Sequence, residues 1–277
     1  MAHVDENAFS YANPADPLWK RACIGAVEVA TGRNRLKKLY FEKQGEDWGG
    51  QGFFETAIAA LSIDLRYDAK ALAAIPKAGP LVVVSNHPFG VLDGIVMCAL
   101  MNRSRPDFRV LTNAVLLRAP EMREKMLPVD FSETVAARRA NAASRSAALS
   151  HVSGGGCLVI FPAGAISTSP DWFGRAPAVD GPWTPYAARL VMAGKCPVVP
   201  LFFRGQNSRL FQIVSHIHPK IRLALFFHEL RRRIGTALEV EIGETIAWEE
   251  LAAIKDRAAL TSVLRSRTLQ LGYPRPR

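Results

Sequence analysis

The sequence predicts an α/β fold: a mainly parallel central sheet flanked by helices, with a helical extension at the N-terminus. Four apolar runs, at 81–84, 108–112, 157–161 and 198–203, have the length and composition of strands buried on both faces. Helical patterns near 94–101, 136–151 and 186–193 separate them, and strands alternating with helices imply βαβ units. Size agrees. A chain of 277 residues, 49% hydrophobic and 22% charged, is large enough for one such domain and its core.

Taken in order, residues 1–17 read as a polar arm. Residues 18–44 have helical character, with Trp19, Cys23, Val27, Leu36, Leu39 and Tyr40 as apolar positions beside a basic cluster of Arg33, Arg35, Lys37 and Lys38. A glycine-rich break at 45–52 precedes a short helix over 53–61, and the alternation across 63–67 predicts an edge or half-exposed strand. After the four core strands, 211–217 and 238–242 are expected to add further strands. Residues 248–271 form one or two closing helices, stopped by Gly272. With no internal repeat and no linker, the organisation is an arm and helical extension over 1–62 followed by a main domain over 63–277.

The formal net charge of +10 points to an anionic partner: nucleic acid, an acidic membrane surface or an acidic carrier. The four cysteines (Cys23, Cys98, Cys157 and Cys196) are dispersed and form no CxxC pair, which fits buried thiols in a reducing compartment. The polar, acidic N-terminus is not a secretory signal. The apolar stretches 78–102 and 146–170 are interrupted by turn signals (Asn86-His87-Pro88 in one, Gly154-Gly155-Gly156 in the other), so no membrane-spanning segment is expected. These features predict a cytoplasmic protein.

The chemistry is concentrated in 81–94, LVVVSNHPFGVLDG. A buried strand ends in Asn86-His87-Pro88, where Pro88 keeps His87 out of the helical region, and helical pattern resumes near Asp93. The C-terminal ends of such strands are where α/β folds place their sites. A carboxylate there can fix one imidazole nitrogen and leave the other free to take a proton. His87 and Asp93 are therefore a candidate general-base pair. Other chemistries lack their signatures. There is no G-x-S-x-G; Gly194-Lys195 is followed by Cys196 and lacks the upstream glycine of a phosphate loop; Gly154-Gly155-Gly156 lacks dinucleotide-fingerprint spacing. His228-Glu229 is followed by Arg232 where a zincin needs histidine, and His216 and His218 have no third ligand, so no metal is expected.

The same segment resembles the first motif of the glycerolipid acyltransferases, typified by 1-acylglycerol-3-phosphate acyltransferase, whose signature is Asn-His-x4-Asp. Here five residues separate His87 from Asp93. That spacing is similar to a bacterial subgroup often labelled hemolysins, which includes lyso-ornithine lipid O-acyltransferases and reads close to NHPxGxLDG. Phe161-Pro162-Ala163-Gly164 resembles the family's third motif, Phe-Pro-Glu-Gly, and Cys196-Pro197-Val198-Val199-Pro200-Leu201 its fourth, continuing into FFRGQNSRLF. The motifs occur in the family's order over about 71–211.

The resemblance implies an acyltransferase fold and direct acyl transfer. His87 would deprotonate the acceptor hydroxyl, Asp93 would stabilise the imidazolium, and backbone donors near Gly164, helped by Asn86, would hold the oxyanion. Asn86, Phe161, Pro162, Gly164 and Arg204 are the implied substrate contacts, and Arg118 is the nearest candidate for the second-motif arginine. Ala163 stands where the family has glutamate, which argues against a glycerol-3-phosphate or lysophosphatidate acceptor and towards a lyso-ornithine or similar amino-acid lipid. The acyl thioester of acyl carrier protein or CoA is the co-substrate, and no other cofactor is implied. Residues 219–237 combine apolar side chains with Arg231-Arg232-Arg233, a candidate contact with an anionic membrane at the inner face. The alternatives are a lysophospholipid acyltransferase and, outside enzymes, a basic membrane- or nucleic-acid-binding protein. No nucleic-acid module is recognisable, so no nucleic-acid partner is expected.

Overall fold

The computed structural model describes residues 52–273, except 115–116, 118–119, 133, 218–221 and 223–224, with isolated positions ahead of residue 52. The helical extension predicted over 18–44 lies largely outside the described residues. In chain order the elements are α1 (Phe53–Ala60), β1 (Asp64–Tyr67), α2 (Ala69–Ala73), β2 (Leu81–Ser85), α3 (Val91–Ser104), β3 (Arg109–Asn113), β4 (Met126–Val129) and α4 (Val135–Ser153). There follow β5 (Cys157–Ile160), α5 (Tyr186–Gly194), β6 (Val198–Phe203), α6 (Arg209–Ile217), α7 (Phe226–Arg233), β7 (Ala237–Ile242), α8 (Trp248–Ala252) and α9 (Arg257–Gln270).

The strands form one sheet in the order β1-β7-β6-β2-β5-β3-β4, with every neighbouring pair parallel except β6 and β7. β2 lies between β5 and β6, and all five of its residues are buried. Successive side chains of a strand point to opposite faces. Leu81 and Val83 accordingly join a core with α1 and α3, built on Phe54, Ile58, Met97 and Leu100. Val82 and Val84 join a second core with Val152 of α4, Leu190 of α5 and Leu260 and Leu264 of α9. Helices on both faces explain why β2 is uninterruptedly apolar.

One sequence expectation is corrected, and one strand is added. Residues 211–217 are helical, part of α6, because Phe211 and Val214 pack on one side while Ser208 Oγ accepts the Phe211 N–H and starts the helix. The strand β4 was not predicted, since Pro128 interrupts its pattern. β4 is the edge of the sheet, where a missing N–H leaves no ladder bond unmade. Among the described cysteines, Cys98, Cys157 and Cys196 are free and buried; burial pushes the Cys157 and Cys196 thiols up to about 12, so they stay protonated and unreactive.

At the N-terminal ends of the strands, the loops entering β2, β3 and β5 are gathered by Arg105, only 1% exposed. Its guanidinium donates to the carbonyls of Pro76 (2.9 Å), Gly79 (2.5 Å) and Gly155 (2.9 Å) and pairs with Asp107 at 2.6 Å. Replacing Arg105 with Met would leave three partly buried acceptors without this donor, each worth about 1 kcal/mol. Calorimetry of Arg105→Met should show a stability loss of at least about 3 kcal/mol, seen as a melting temperature lower by roughly 6–12 °C.

Candidate active site

At the opposite end of β2 the chain leaves the sheet through Asn86 and His87. Asn86 is buried, and its side chain mimics another rung of the ladder to β6: Nδ2 donates to the Phe203 carbonyl at 3.0 Å and Oδ1 accepts the Phe203 N–H at 2.7 Å. Of the Asn86 amide expected to meet substrate, Oδ1 and one Nδ2 hydrogen are thus bonded to the Phe203 backbone. Both ends of its amide are committed to β6, and its role is to fix where His87 begins.

His87 is held from three directions. Its N–H donates to Asp180 Oδ1 at 3.1 Å, and its carbonyl accepts the Ser167 N–H at 2.9 Å. Its ring packs on Phe161, with centroids 4.3 Å apart and an interplanar angle of 31°. Its Nδ1 lies 3.0 Å from Asp93 Oδ2, and the side chain remains 20% exposed while that of Asp93 is fully buried. Nδ1 is turned inward to the carboxylate, leaving Nε2 as the nitrogen available to a substrate.

The five-residue spacing from His87 to Asp93 works because the intervening turn folds back on the carboxylate. Asp93 is the third residue of α3, and Oδ2 accepts the N–H groups of Phe89 (2.7 Å) and Gly90 (2.9 Å), two donors that the start of a helix leaves unpaired. Gly90 has φ 73°, and a Cβ there would stand 2.6 Å from Ile166 Cδ1, so the turn requires glycine. Complete burial pushes the Asp93 carboxyl above its usual range, against the pull of His87 and the two amides. A buried carboxylate directed at an imidazole gains most when that imidazole becomes positive, as it does on taking a proton.

The other predicted residues divide. Phe161 supports the imidazole, and the carbonyl of the buried Pro162 accepts both the N–H and Oγ1–H of Thr184. Gly164 adopts φ 64°, but its N–H donates to the Phe161 carbonyl at 3.0 Å. The Gly164 amide is thus bonded within the turn, and the donors near Gly164 expected to face an oxyanion are its neighbours in that turn. Arg204 is committed elsewhere: Nε to Glu241 Oε1 (2.8 Å), Nη1 to the Gly272 carbonyl (3.0 Å) and Nη2 to the Leu271 carbonyl (3.2 Å). It ties β6 to β7 and the end of α9. Arg118 lies outside the described residues.

The basic run 231–233 is also split by the structure. Arg231 and Arg232 are exposed. Arg233 turns inward, its guanidinium 4.0 Å above the Phe89 ring and Nη2 donating to the Gln206 carbonyl at 2.8 Å. Burial lowers its pKa, and the negative charges of Glu229 and Asp93 oppose that shift. A cation therefore packs onto the turn that joins His87 to Asp93.

Asp180 escaped sequence reading. It is 2% exposed and gathers three donors: the His87 N–H, Ser167 Oγ at 2.5 Å and Trp183 Nε1 at 2.9 Å, while its carbonyl accepts from Arg265 of α9. Nothing in the local sequence marks it, because the contact that matters spans 93 residues.

The chain is similar to known proteins over most of its length. A family model described as Acyltransferase matches residues 51–272. A lyso-glycine lipid O-acyltransferase of Phocaeicola vulgatus is 24% identical over 233 residues, covering 79% of this chain and 77% of that protein. Another of the same name, from Bacteroides thetaiotaomicron, is 23% identical over 224 residues, covering 76% and 75%. The crystal structure of the 1-acyl-sn-glycerophosphate (LPA) acyltransferase PlsC from Thermotoga maritima superposes with a TM-score of 0.50 at 15% identity, covering 94% of this chain and 99% of that one, and shares the fold.

Asp93 and Asp180 should separate under mutation. Because burial raises the Asp93 pKa, the folded state holds its proton more tightly than the unfolded chain, and the ionised group costs stability at neutral pH that is regained as pH falls. Asp93→Asn should therefore keep or raise the melting temperature. It should also cut kcat by about 10²–10⁴-fold, because an amide donor at Nδ1 forces the wrong tautomer. Asp180→Ala leaves three donors unpaired and should lower both the melting temperature and kcat. Thermal unfolding alongside steady-state kinetics distinguishes the two.

Proposed function

The chain belongs to the acyltransferase family, and from that premise we propose that it transfers a fatty acyl group from an acyl thioester to the hydroxyl of an amino-acid lysolipid. One observation carries this reading: His87 Nδ1 lies 3.0 Å from the buried Asp93 carboxylate while the imidazole stays partly exposed at the end of β2. Nε2 takes the proton of the acceptor hydroxyl as its oxygen attacks the thioester carbonyl. The tetrahedral intermediate then collapses, the carbon–sulfur bond breaks, and the departing thiolate recovers the proton. Carbon–oxygen bond formation and thiol release balance without a redox step. The donor is the thioester of acyl carrier protein or CoA.

Backbone donors near Gly164 are the candidates to stabilise the oxyanion, the Gly164 amide itself being bonded to the Phe161 carbonyl. In the 161–165 turn, Ala163 and Ala165 carry N–H groups that meet no protein acceptor among the described residues. An oxyanion seated there would be held by backbone dipoles.

Two features support an amino-acid lipid as acceptor. Position 163 is alanine, so this turn carries no carboxylate to help organise a phosphate site. Arg233 provides a half-buried cation on the catalytic turn, placed to meet the α-carboxylate of an acylated amino acid, and burial strengthens such a pair beyond its value in water. The two lyso-glycine lipid O-acyltransferases similar to this chain support the same class, and we extend it to lyso-ornithine lipid as a second acceptor to be compared.

The direct test offers a labelled acyl thioester with lyso-glycine lipid, lyso-ornithine lipid and lysophosphatidate in parallel. Transfer to an amino-acid lysolipid is expected, abolished in a folded His87→Ala variant; a strong preference for lysophosphatidate would overturn the acceptor, and retained activity in His87→Ala the mechanism. Arg233→Gln should raise the acceptor KM by about tenfold, the loss of one charge-assisted contact, with the donor KM unchanged.

A further inference from the structure

The loop between Ser167 and Asp180 leaves the catalytic turn and returns to it. At one end the Ser167 N–H donates to the His87 carbonyl; at the other, Asp180 accepts the His87 N–H. Between them the chain lies along α6: the Ser169 carbonyl meets His216 Nε2 at 2.9 Å, the Trp172 ring stacks on His216 at 5.0 Å, and the Phe173 carbonyl accepts Arg209 Nε at 2.7 Å. Gly174 fits against Arg209 and Gln212, where a Cβ would come within 2.8 Å of the Gln212 side chain.

The apex of this loop and the outer face of α6 are apolar and exposed. Trp172 is 62% exposed, Phe173 60%, Leu210 50% and Ile217 63%. Leu210 and Ile217 are seven residues apart, two turns, on the same helical face. They flank Arg209 and His216, the two residues that hold the loop, so the four side chains make one patch rather than scattered exposures. Clustered apolar exposure of this kind marks an interaction surface. The patch is also basic on balance. Arg175 lies 5.2 Å from the centre of the Phe173 ring and Arg209 stands beside it, against the single carboxylate of Asp171, which accepts the Arg175 N–H.

We propose that this patch is a membrane-docking surface and that its partner is an anionic lipid bilayer. Trp and Phe beside arginines suit the boundary between headgroups and acyl chains, where a ring is buried and a cation stays among phosphates. An acidic carrier protein would be met by charge and would leave the exposed indole and phenyl rings unexplained. The formal net charge of +10 draws the whole molecule to such a surface. Seating the 172–175 apex in a bilayer brings the membrane to a loop bonded on both sides to His87, so that an acceptor in the membrane meets the imidazole without leaving the lipid phase. The proposal rests on the lysolipid reading for its purpose, but its test is independent of acyl transfer.

The full chain is mixed with vesicles of phosphatidylcholine, with and without phosphatidylglycerol, and sedimented in the absence of any acyl donor. Wild-type protein should partition onto the anionic vesicles, and brominated lipid should quench a share of its tryptophan fluorescence that is absent from a Trp172→Phe variant. Trp172→Ala/Phe173→Ala, which removes the Trp172–His216 stack but leaves the backbone bonds of Ser169 and Phe173 to α6 in place, should stay folded and bind at least about tenfold more weakly. Transfer to an acceptor presented in vesicles should fall in parallel, while transfer to a short-chain soluble acceptor is unchanged. Wild-type protein that ignores anionic vesicles, or a double variant that binds them equally well, overturns the proposal. So does a double variant whose only change is a smaller oligomer in light scattering, or weaker binding to acyl carrier protein, since the patch would then belong to another chain. A wrong acceptor leaves vesicle binding intact, which separates this failure from failure of the proposed reaction.

Discussion

The site depends on one buried oxygen. Asp93 Oδ2 has the amides of Phe89 and Gly90 and the imidazole of His87 as neighbours, inside a protein interior where an ionised carboxylate without donors would cost several kcal/mol. Those contacts make the start of α3, the tight turn at Gly90 and the orientation of His87 a single object. Moving the carboxylate would unpair the first turn of the helix as well as the imidazole. The arrangement is therefore rigid, and the charge is held ready for the imidazolium it stabilises.

The same coupling accounts for what was readable in the sequence. β2, β5 and β6 are buried on both faces, and double burial demands the continuous apolar runs that exposed them. His87 and Asp93 were visible because the turn that joins them is local, within seven consecutive residues. Asp180 was not, because its importance lies in a bond to a residue far away in the chain, and an isolated Asp before glycine reads as an ordinary turn. Helix α6 was mistaken for a strand because its short apolar stretch suits either period, and the deciding signal, Ser208 at its start, is held in place by Glu229 from α7. The bonds that Asn86, Gly164 and Arg204 make within the protein are not legible in composition, which says nothing about whether a donor is already paired. The roles of Arg231–Arg233 diverge for a similar reason: three adjacent helical residues point in different directions, and only Arg233 turns to the catalytic turn.

His87 is held by its neighbours on every side. Asn86 fixes the strand before it, Phe161 supports its ring, and Ser167 and Asp180 take its two backbone groups. The last two belong to one loop, whose middle carries the exposed aromatic residues, so rigidity at the imidazole and contact at the surface are properties of the same segment. Such a design suits an acceptor that presents one hydroxyl near the headgroup of an otherwise apolar molecule. On the proposed reaction the chain would orient the hydroxyl and leave the acyl tail to the lipid.

Electrostatics then narrows the headgroup. With an ionised Asp93 beside the imidazole, a second negative charge brought close by the acceptor is repelled unless a cation compensates. Arg233 lies on the Phe89 side of the same turn and already feels the Asp93 charge through that short distance. A carboxylate paired with Arg233 would add no net charge to the site, whereas a phosphate with close to two negative charges would exceed what one guanidinium neutralises. A glutamate at position 163, close to the Phe161 ring that supports His87, would deepen that imbalance, and alanine there avoids it. The chemistry of the turn and the residue missing from it thus favour the same acceptor: one hydroxyl, one carboxylate and a long apolar tail.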